Sequence, residues 1–163
     1  MKTLYIIRHA KSSWSQANVS DFDRTLNDRG FFDAPLMGKV LKGKGILPDA
    51  IYASTAKRAL LTTSILTKEI SFTKEINKEP EYYHASASSL LQKINQFPDD
   101  LNTVFVVGHN PGLTYLAEDL SNDHFGNLPT CGIVGIRFEF DSWAMISAGT
   151  GECFYYDYPK NHK

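Results

Sequence analysis

Two segments of this chain, Thr3–Arg8 and Thr103–Val107, are almost unbroken runs of apolar residues. A strand with one wet face alternates apolar with polar side chains. A run that does not alternate belongs to a strand covered on both faces, as in sheets flanked by helices. Each run leads into a polar turn and then into residues with helical periodicity. The same alternation of β-rich runs and helical patterns continues along the chain, and it predicts an α/β domain with a largely parallel central sheet.

The other elements follow from local signals. A polar loop spans Lys11 to about Asp23. A helix is expected from Asn27 to Leu41, with Asn27 as its N-cap and Phe32, Leu36 and Val40 as its apolar stripe. Pro35 should kink or split that helix, and Lys42-Gly43-Lys44-Gly45 should end it. Ala50–Ala53 reads as a strand. Ser54-Thr55 then read as a capping pair for a helix over Ala56–Ile70 that buries Leu61 and Ile65. Ile76–Tyr83 reads as extended. Ser86 caps a helix carrying Leu90, Leu91 and Ile94, which stops near Pro98. Pro111 suits the first position of a helix with Leu113, Leu116 and Leu120. Gly132–Phe140, Trp143–Ser147 and Cys153–Tyr158 read as strands, the last two as antiparallel pieces at a sheet edge.

At 163 residues, the chain is expected to form one domain over 1–163, with a core that needs no staples. Its formal net charge of −1 gives no general attraction to nucleic acid or to anionic membrane. Cys131 and Cys153 have no metal-ligand or CxxC spacing and read as reduced thiols. No apolar run approaches the roughly 18 residues of a membrane span, and the first apolar run is too short for a secretory leader. The expected location is the cytoplasm. Any positive potential must come from particular Arg and His residues.

Three junctions supply such residues. Arg8-His9 ends the first buried run, and Gly108-His109-Asn110 ends the Thr103–Val107 run. In open α/β sheets, ligands bind beyond the carboxyl ends of the strands. Ser54-Thr55-Ala56-Lys57-Arg58 leaves a third strand and places Arg58 in a first helical turn, where free N–H groups and the helix dipole favour anions. Each junction alone has a bland reading as a surface pair, a turn or a solvated helix start. Together they suggest a site for a tetrahedral oxyanion. Guanidinium forks match phosphate, and a neutral imidazole can attack phosphorus. One neutral His as nucleophile, two Arg and one protonated His as clamp would suffice, with no metal and no cofactor.

These motifs resemble the histidine phosphatase, or phosphoglycerate mutase-like, superfamily, and within it the SixA-type phosphohistidine phosphatases. Leu4-Tyr5-Ile6-Ile7-Arg8-His9-Ala10-Lys11-Ser12-Ser13-Trp14 looks like that branch's Arg-His signature, although many relatives have glycine at the place of Ala10. Asp23-Arg24-Thr25-Leu26-Asn27-Asp28-Arg29-Gly30 is similar to the next family stretch, where proline is commoner at Thr25. Ser54–Thr62 is similar to the second-arginine motif, and Val107–Pro111 to the second-histidine motif. The resemblance spans Lys2 to about Leu120. It implies a three-layer α/β/α sandwich. It also implies His9 as the phosphorylated nucleophile, His109 as the second pocket histidine, and Arg8 and Arg58 as phosphate-binding arginines.

Larger relatives carry a catalytic acid after the second-arginine helix and often a cap over the pocket. Here the matching stretch is Glu79-Pro80-Glu81-Tyr82-Tyr83-His84. Glu81 is the candidate acid by position alone, against the alternative of a solvated loop carboxylate. His84 reads as a surface residue. Lys11 and Ser15 could reach phosphate, whereas Asp21 and Asp23 read as loop carboxylates. The chain leaves no room for a large cap, and an imidazole leaving group demands less of an acid than an alkoxide does. Both points favour phosphohistidine on a protein as substrate. The alternatives are a broad small-molecule phosphatase or mutase of the same superfamily, and a non-catalytic phosphate-binding module. Five histidines without HxH or HExxH spacing give a metallohydrolase little support. The oligomeric state is not legible.

Overall fold

The computed structural model describes all residues, 1–163. Its strands are β1 (Lys2–Arg8), β2 (Ala50–Ser54), β3 (Asn77–Glu79), β4 (Thr103–Gly108), β5 (Ile133–Phe138) and β6 (Glu152–Asp157). Its helices are α1 (Asp28–Gly43), α2 (Lys57–Ile70), α3 (Ala87–Ile94) and α4 (Gly112–Ser121). The sheet order is β3-β2-β4-β1-β5-β6. The first four strands in that order run parallel, and β5 lies antiparallel to both β1 and β6.

The unbroken apolar runs are the two central strands. Leu4, Ile6, Val104 and Val106 enter one core with α3 and α4. Tyr5, Ile7, Phe105 and Val107 enter the other with α1 and α2. The result is three layers, each strand residue choosing its face by the two-residue pleat. No helix is long and apolar enough to cross a membrane.

Register aligns the strand ends. In the β1–β4 pair, Arg8 sits opposite Gly108, and in β2–β4, Ala53 sits opposite Val107. The three strands therefore end at one level, and the residues just past β1 and β4 emerge side by side.

Several expectations need correcting. The buried face of α1 is Gly30, Asp33, Ala34, Met37, Gly38 and Leu41, and Phe32 is exposed. Gly38 sits on this face because α1 lies close on α2 there: a Cβ at Gly38 would fall 2.7 Å from the Glu69 Cβ. Pro35 leaves α1 unbroken; burial of the helix's inner face outweighs the one lost hydrogen bond. Asn27 and Ser86 do cap, accepting from Gly30 and Ser89 N–H. Ser54-Thr55 do not cap α2, whose N-cap is Ala56 with no side-chain bond.

The buried stripe of α2 is Ala59, Thr62, Thr63, Leu66 and Ile70, while Leu61 and Ile65 are only partly covered. Thr62 and Thr63 can be buried because each hydroxyl donates to the carbonyl four residues back. Only Asn77–Glu79 of the expected Ile76–Tyr83 extended segment is strand, and a 3-10 turn follows over Pro80–Tyr82. Pro111 is the N-cap residue of α4 rather than its first helical residue. Trp143–Ser147 is no strand. Trp143–Met145 form a 3-10 turn that buries the indole and lets it donate to the Leu101 carbonyl at 2.8 Å.

Candidate active site

His9 is the first residue past β1. Its N–H donates to the Gly108 carbonyl at 3.1 Å, and its own carbonyl accepts from Cys131 N–H at 3.0 Å. The ring Nδ1 lies 2.7 Å from the Ala10 carbonyl. A carbonyl can only accept, so Nδ1 carries the hydrogen and Nε2 keeps the free lone pair. The Ala10 turn is tied down in its own right. Ala10 N–H donates to Thr62 Oγ1 at 2.9 Å, and that hydroxyl donates to the Arg58 carbonyl at 2.8 Å. One threonine thus couples the turn after His9 to the first turn of α2.

His109 follows β4, and its ring centroid is 5.2 Å from that of His9. Ser54, at the end of β2, places its Oγ 2.7 Å from His109 Nε2 while accepting from Ala56 N–H. If the hydroxyl donates to Nε2, both groups are satisfied and the His109 hydrogen sits on Nδ1, a buried nitrogen without a partner. Arg8 donates from Nη1 to the Leu128 carbonyl at 2.9 Å, and its buried Nε is likewise without a partner.

The loop after β1 folds back on itself. Ser12 bridges to Leu26, and Asn27 N–H donates to the Lys11 carbonyl. Its 3-10 turn, Asp21–Asp23, therefore lies over the strand ends. Arg58 donates from Nη1 to the Asp21 carbonyl (2.6 Å) and from Nη2 to Asp21 Oδ2 (3.1 Å). Asp21 also accepts from Arg24 at 2.9 Å and from the Tyr83 hydroxyl. Arg24 is buried. It donates to the Ser13 carbonyl and to Ser12 Oγ, and its guanidinium carbon stands 3.2 Å from the Trp14 ring centroid.

These groups surround a cavity of about 230 Å³ lined by Arg8, Lys11, Arg24 and Arg58, with Asp21 as its one carboxylate. The electrostatics follow from burial and this excess of cations. Desolvation, with help from Arg58, Arg8 and Arg24, pushes His9 down to about 4. Desolvation, then His9 and Arg58, push His109 down to about 3. Both rings are neutral at pH 7 in the free cavity. The protonated clamp expected of His109 is thus not its resting form, because burial disfavours the charged ring and His9 and Arg58 add to the effect. The Asp21 carboxyl is held far below the usual range by Tyr83, Arg24 and Arg58.

The structure brings Arg8, His9, Arg58 and His109 around one cavity, with Lys11 on its wall. It does not bring Glu81 there: Glu81 is exposed and paired with Lys93 Nζ at 2.7 Å. Ser15 is also absent from the lining and is exposed, bonded to Ser13 Oγ. Sequence reasoning does not single out Asp21, Arg24, Ser54, Thr62 or Tyr83 for the site, and His84 lines the cavity despite its exposure. Arg24 stands within the Asp23–Gly30 motif, and Ser54 and Thr62 bound the second-arginine motif; Asp21 and Tyr83 carry no local signal.

A model of the histidine phosphatase superfamily (branch 1) matches residues 4–82. An uncharacterized chloroplastic protein of Arabidopsis thaliana is 30% identical over 159 residues, covering 92% of this chain and 72% of that one. Among solved structures, the protein assigned as phosphohistidine phosphatase SixA of Agrobacterium tumefaciens superposes with a TM-score of 0.84 at 25% identity, covering 97% and 98% of the two chains. The protein histidine phosphatase SixA complexed with tungstate superposes with a TM-score of 0.81 at 22% identity, covering 99% of each.

Proposed function

Taking as premise that this chain belongs to the histidine phosphatase superfamily and is a histidine-dependent phosphatase, we propose that its substrate is phosphohistidine carried on a protein, hydrolysed through a phosphorylated His9. The observation that carries this reading is the tether from His9 Nδ1 to the Ala10 carbonyl. It fixes the tautomer that leaves Nε2 free to attack, and the depressed basicity keeps that lone pair unprotonated at neutral pH.

The reaction has two steps. Nε2 of His9 attacks phosphorus as the bond to the leaving group breaks. Water then attacks phospho-His9 and releases inorganic phosphate. Arg8 and Arg58 neutralise charge on the equatorial oxygens in both steps. Arg8 Nε and, with Ser54 donating to Nε2, His109 Nδ1 are buried donors without partners. An unmade hydrogen bond costs about 1–3 kcal/mol, and a phosphoryl group seated between them would satisfy both. Its negative charge would also raise the proton affinity of His109, so the second histidine can become a charged clamp once substrate is bound.

Two features support a protein-borne substrate. Between β3 and α3 lie only a 3-10 turn and residues 83–86, so no cap is inserted at that point. The cavity mouth also carries an aromatic side chain, Trp14, that is 76% exposed. A side-by-side assay on a phosphohistidine protein, an aryl phosphate and a sugar phosphate tests the reading. The expected order of kcat/KM is phosphohistidine first and sugar phosphate last. Preference for the sugar phosphate would assign the chain to small-molecule work.

A further inference from the structure

The His9 site has a nucleophile and a clamp for charge, yet no obvious group to give a proton to what leaves. His9 and His109 are neutral at neutral pH in the free cavity, with no second ring proton to give. Asp21 is kept ionised, and the Tyr83 hydroxyl is committed to it. Guanidiniums do not release protons. Glu81 lies outside, paired with Lys93. Of the titratable side chains on the cavity wall, Lys11 and His84 remain.

His84 is held in a particular way. It is a non-glycine residue in the left-handed region, at φ 56°. That conformation costs about 1–2 kcal/mol and persists where surrounding structure imposes it. The ring packs on Tyr83 with centroids 3.9 Å apart, and Nε2 comes within 3.9 Å of Asp21 Oδ2. Next to the arginine-lined cavity lies a second one of about 280 Å³, and the two share His84, His109 and Asn110 on their walls. Ala85, Ala87, Pro111 and Tyr115 line the second cavity, which has no arginine. A PO₃ unit belongs among the arginines of the first; the organic group it leaves fits the second. His84 stands on the border between them.

We propose that His84 is the proton donor to the leaving group, steered by the Asp21 carboxylate, and that the leaving group occupies the Ala85–Tyr115 cavity. This rests on the phosphatase reading of His9. In the first step the bond from phosphorus to the leaving nitrogen or oxygen breaks, and that atom keeps the bonding pair. It takes the proton from imidazolium His84, which becomes neutral. In the second step water attacks phospho-His9, the P–N pair returns to Nε2, and neutral His84 takes a proton from that water. The enzyme is restored and one hydrogen phosphate is released. An imidazolium suits an imidazole leaving group, since a proton passed between like groups meets little thermodynamic resistance.

The test is the dependence of rate on leaving-group basicity. Phenyl phosphate needs a proton on its leaving oxygen and 2,4-dinitrophenyl phosphate does not. His84→Gln should lose about 10²-fold in kcat/KM on phenyl phosphate, the low end of general acid catalysis, and less than about threefold on the dinitrophenyl ester. Turnover of the activated ester also shows that the variant is folded. Equal losses on both esters would overturn the assignment, as would a Lys11→Met variant that shows the selective loss instead. Phospho-His9 is trapped from the activated ester in parallel. If it forms while the selective loss is absent, only the His84 role falls. If the unaltered protein forms none, the phosphatase reading falls with it.

Discussion

Asp21 engages both terminal nitrogens of Arg58, one through its backbone carbonyl at 2.6 Å and one through its carboxylate at 3.1 Å. The carboxylate thus stands where an oxyanion would compete for the same fork. Asp21→Asn keeps the carbonyl contact and removes the charge. We expect inorganic phosphate to inhibit this variant about three- to tenfold more tightly, since a close ion pair in a part-buried site is worth about 1 kcal/mol or more. Product inhibition constants check this; weaker inhibition would show that Asp21 serves only to orient Arg58.

Thr62 joins the Ala10 N–H to the Arg58 carbonyl in the buried floor of the site. Thr62→Val keeps the shape and strands the Ala10 N–H. The expected loss is about 1–3 kcal/mol in urea unfolding. A fall in kcat should accompany it, because the Ala10 carbonyl holds His9 Nδ1. Unchanged kcat in a folded variant would mean that the turn keeps its geometry without this link.

Acid should destabilise the protein in a defined window. His9 and His109 have native values of about 4 and about 3, both below the ordinary 6.5. Between about pH 6.5 and pH 4 the unfolded chain therefore binds protons that the native state refuses, and stability falls as pH falls. The two together should contribute a few kcal/mol, on the order expected for buried imidazoles. Urea unfolding in phosphate-free buffer at about pH 7 and about pH 4.5 measures the loss, and a His9→Gln/His109→Gln double variant should show much less of it. An equal loss in the double variant would place its origin elsewhere.

The strands that build the site are legible because burial on both faces leaves a mark in the chain: β1 and β4 are continuous apolar runs ending in Arg8-His9 and Gly108-His109. Their parallel pairing then sets the two imidazoles side by side. The stripe of α1 is not legible, because Gly30, Ala34 and Gly38 interrupt its inner face and permit close approach, whereas Phe32, Leu36 and Val40 only look like a core. Asp21 is hidden for a different reason. Its partners are Arg24, Arg58 and Tyr83, and the last two lie 37 and 62 residues away. Its role exists only once the loop has folded over the strand ends. Glu81 shows the converse: a carboxylate at the expected place in the chain, turned outward to Lys93.

The loop that carries His84 is fixed partly by backbone approach. A Cβ at Gly112 would fall 2.2 Å from the Ala85 carbonyl. Gly112→Ala must therefore push this loop and α4 apart, at about 1–3 kcal/mol. Turnover of phenyl phosphate should fall more than that of the dinitrophenyl ester, since the shift moves His84 more than His9. Equal falls would show that the displacement is taken up by α4.

The central claim is that the imidazole of His9 carries the phosphoryl group between substrate and water. Rapid mixing with ³²P-labelled phosphohistidine protein, an alkaline denaturing quench and peptide mapping would locate the label. We predict a transient phosphoryl group on Nε2 of His9, absent in His9→Ala, whose turnover is abolished. Label on any other residue, or undiminished turnover in His9→Ala, would contradict it.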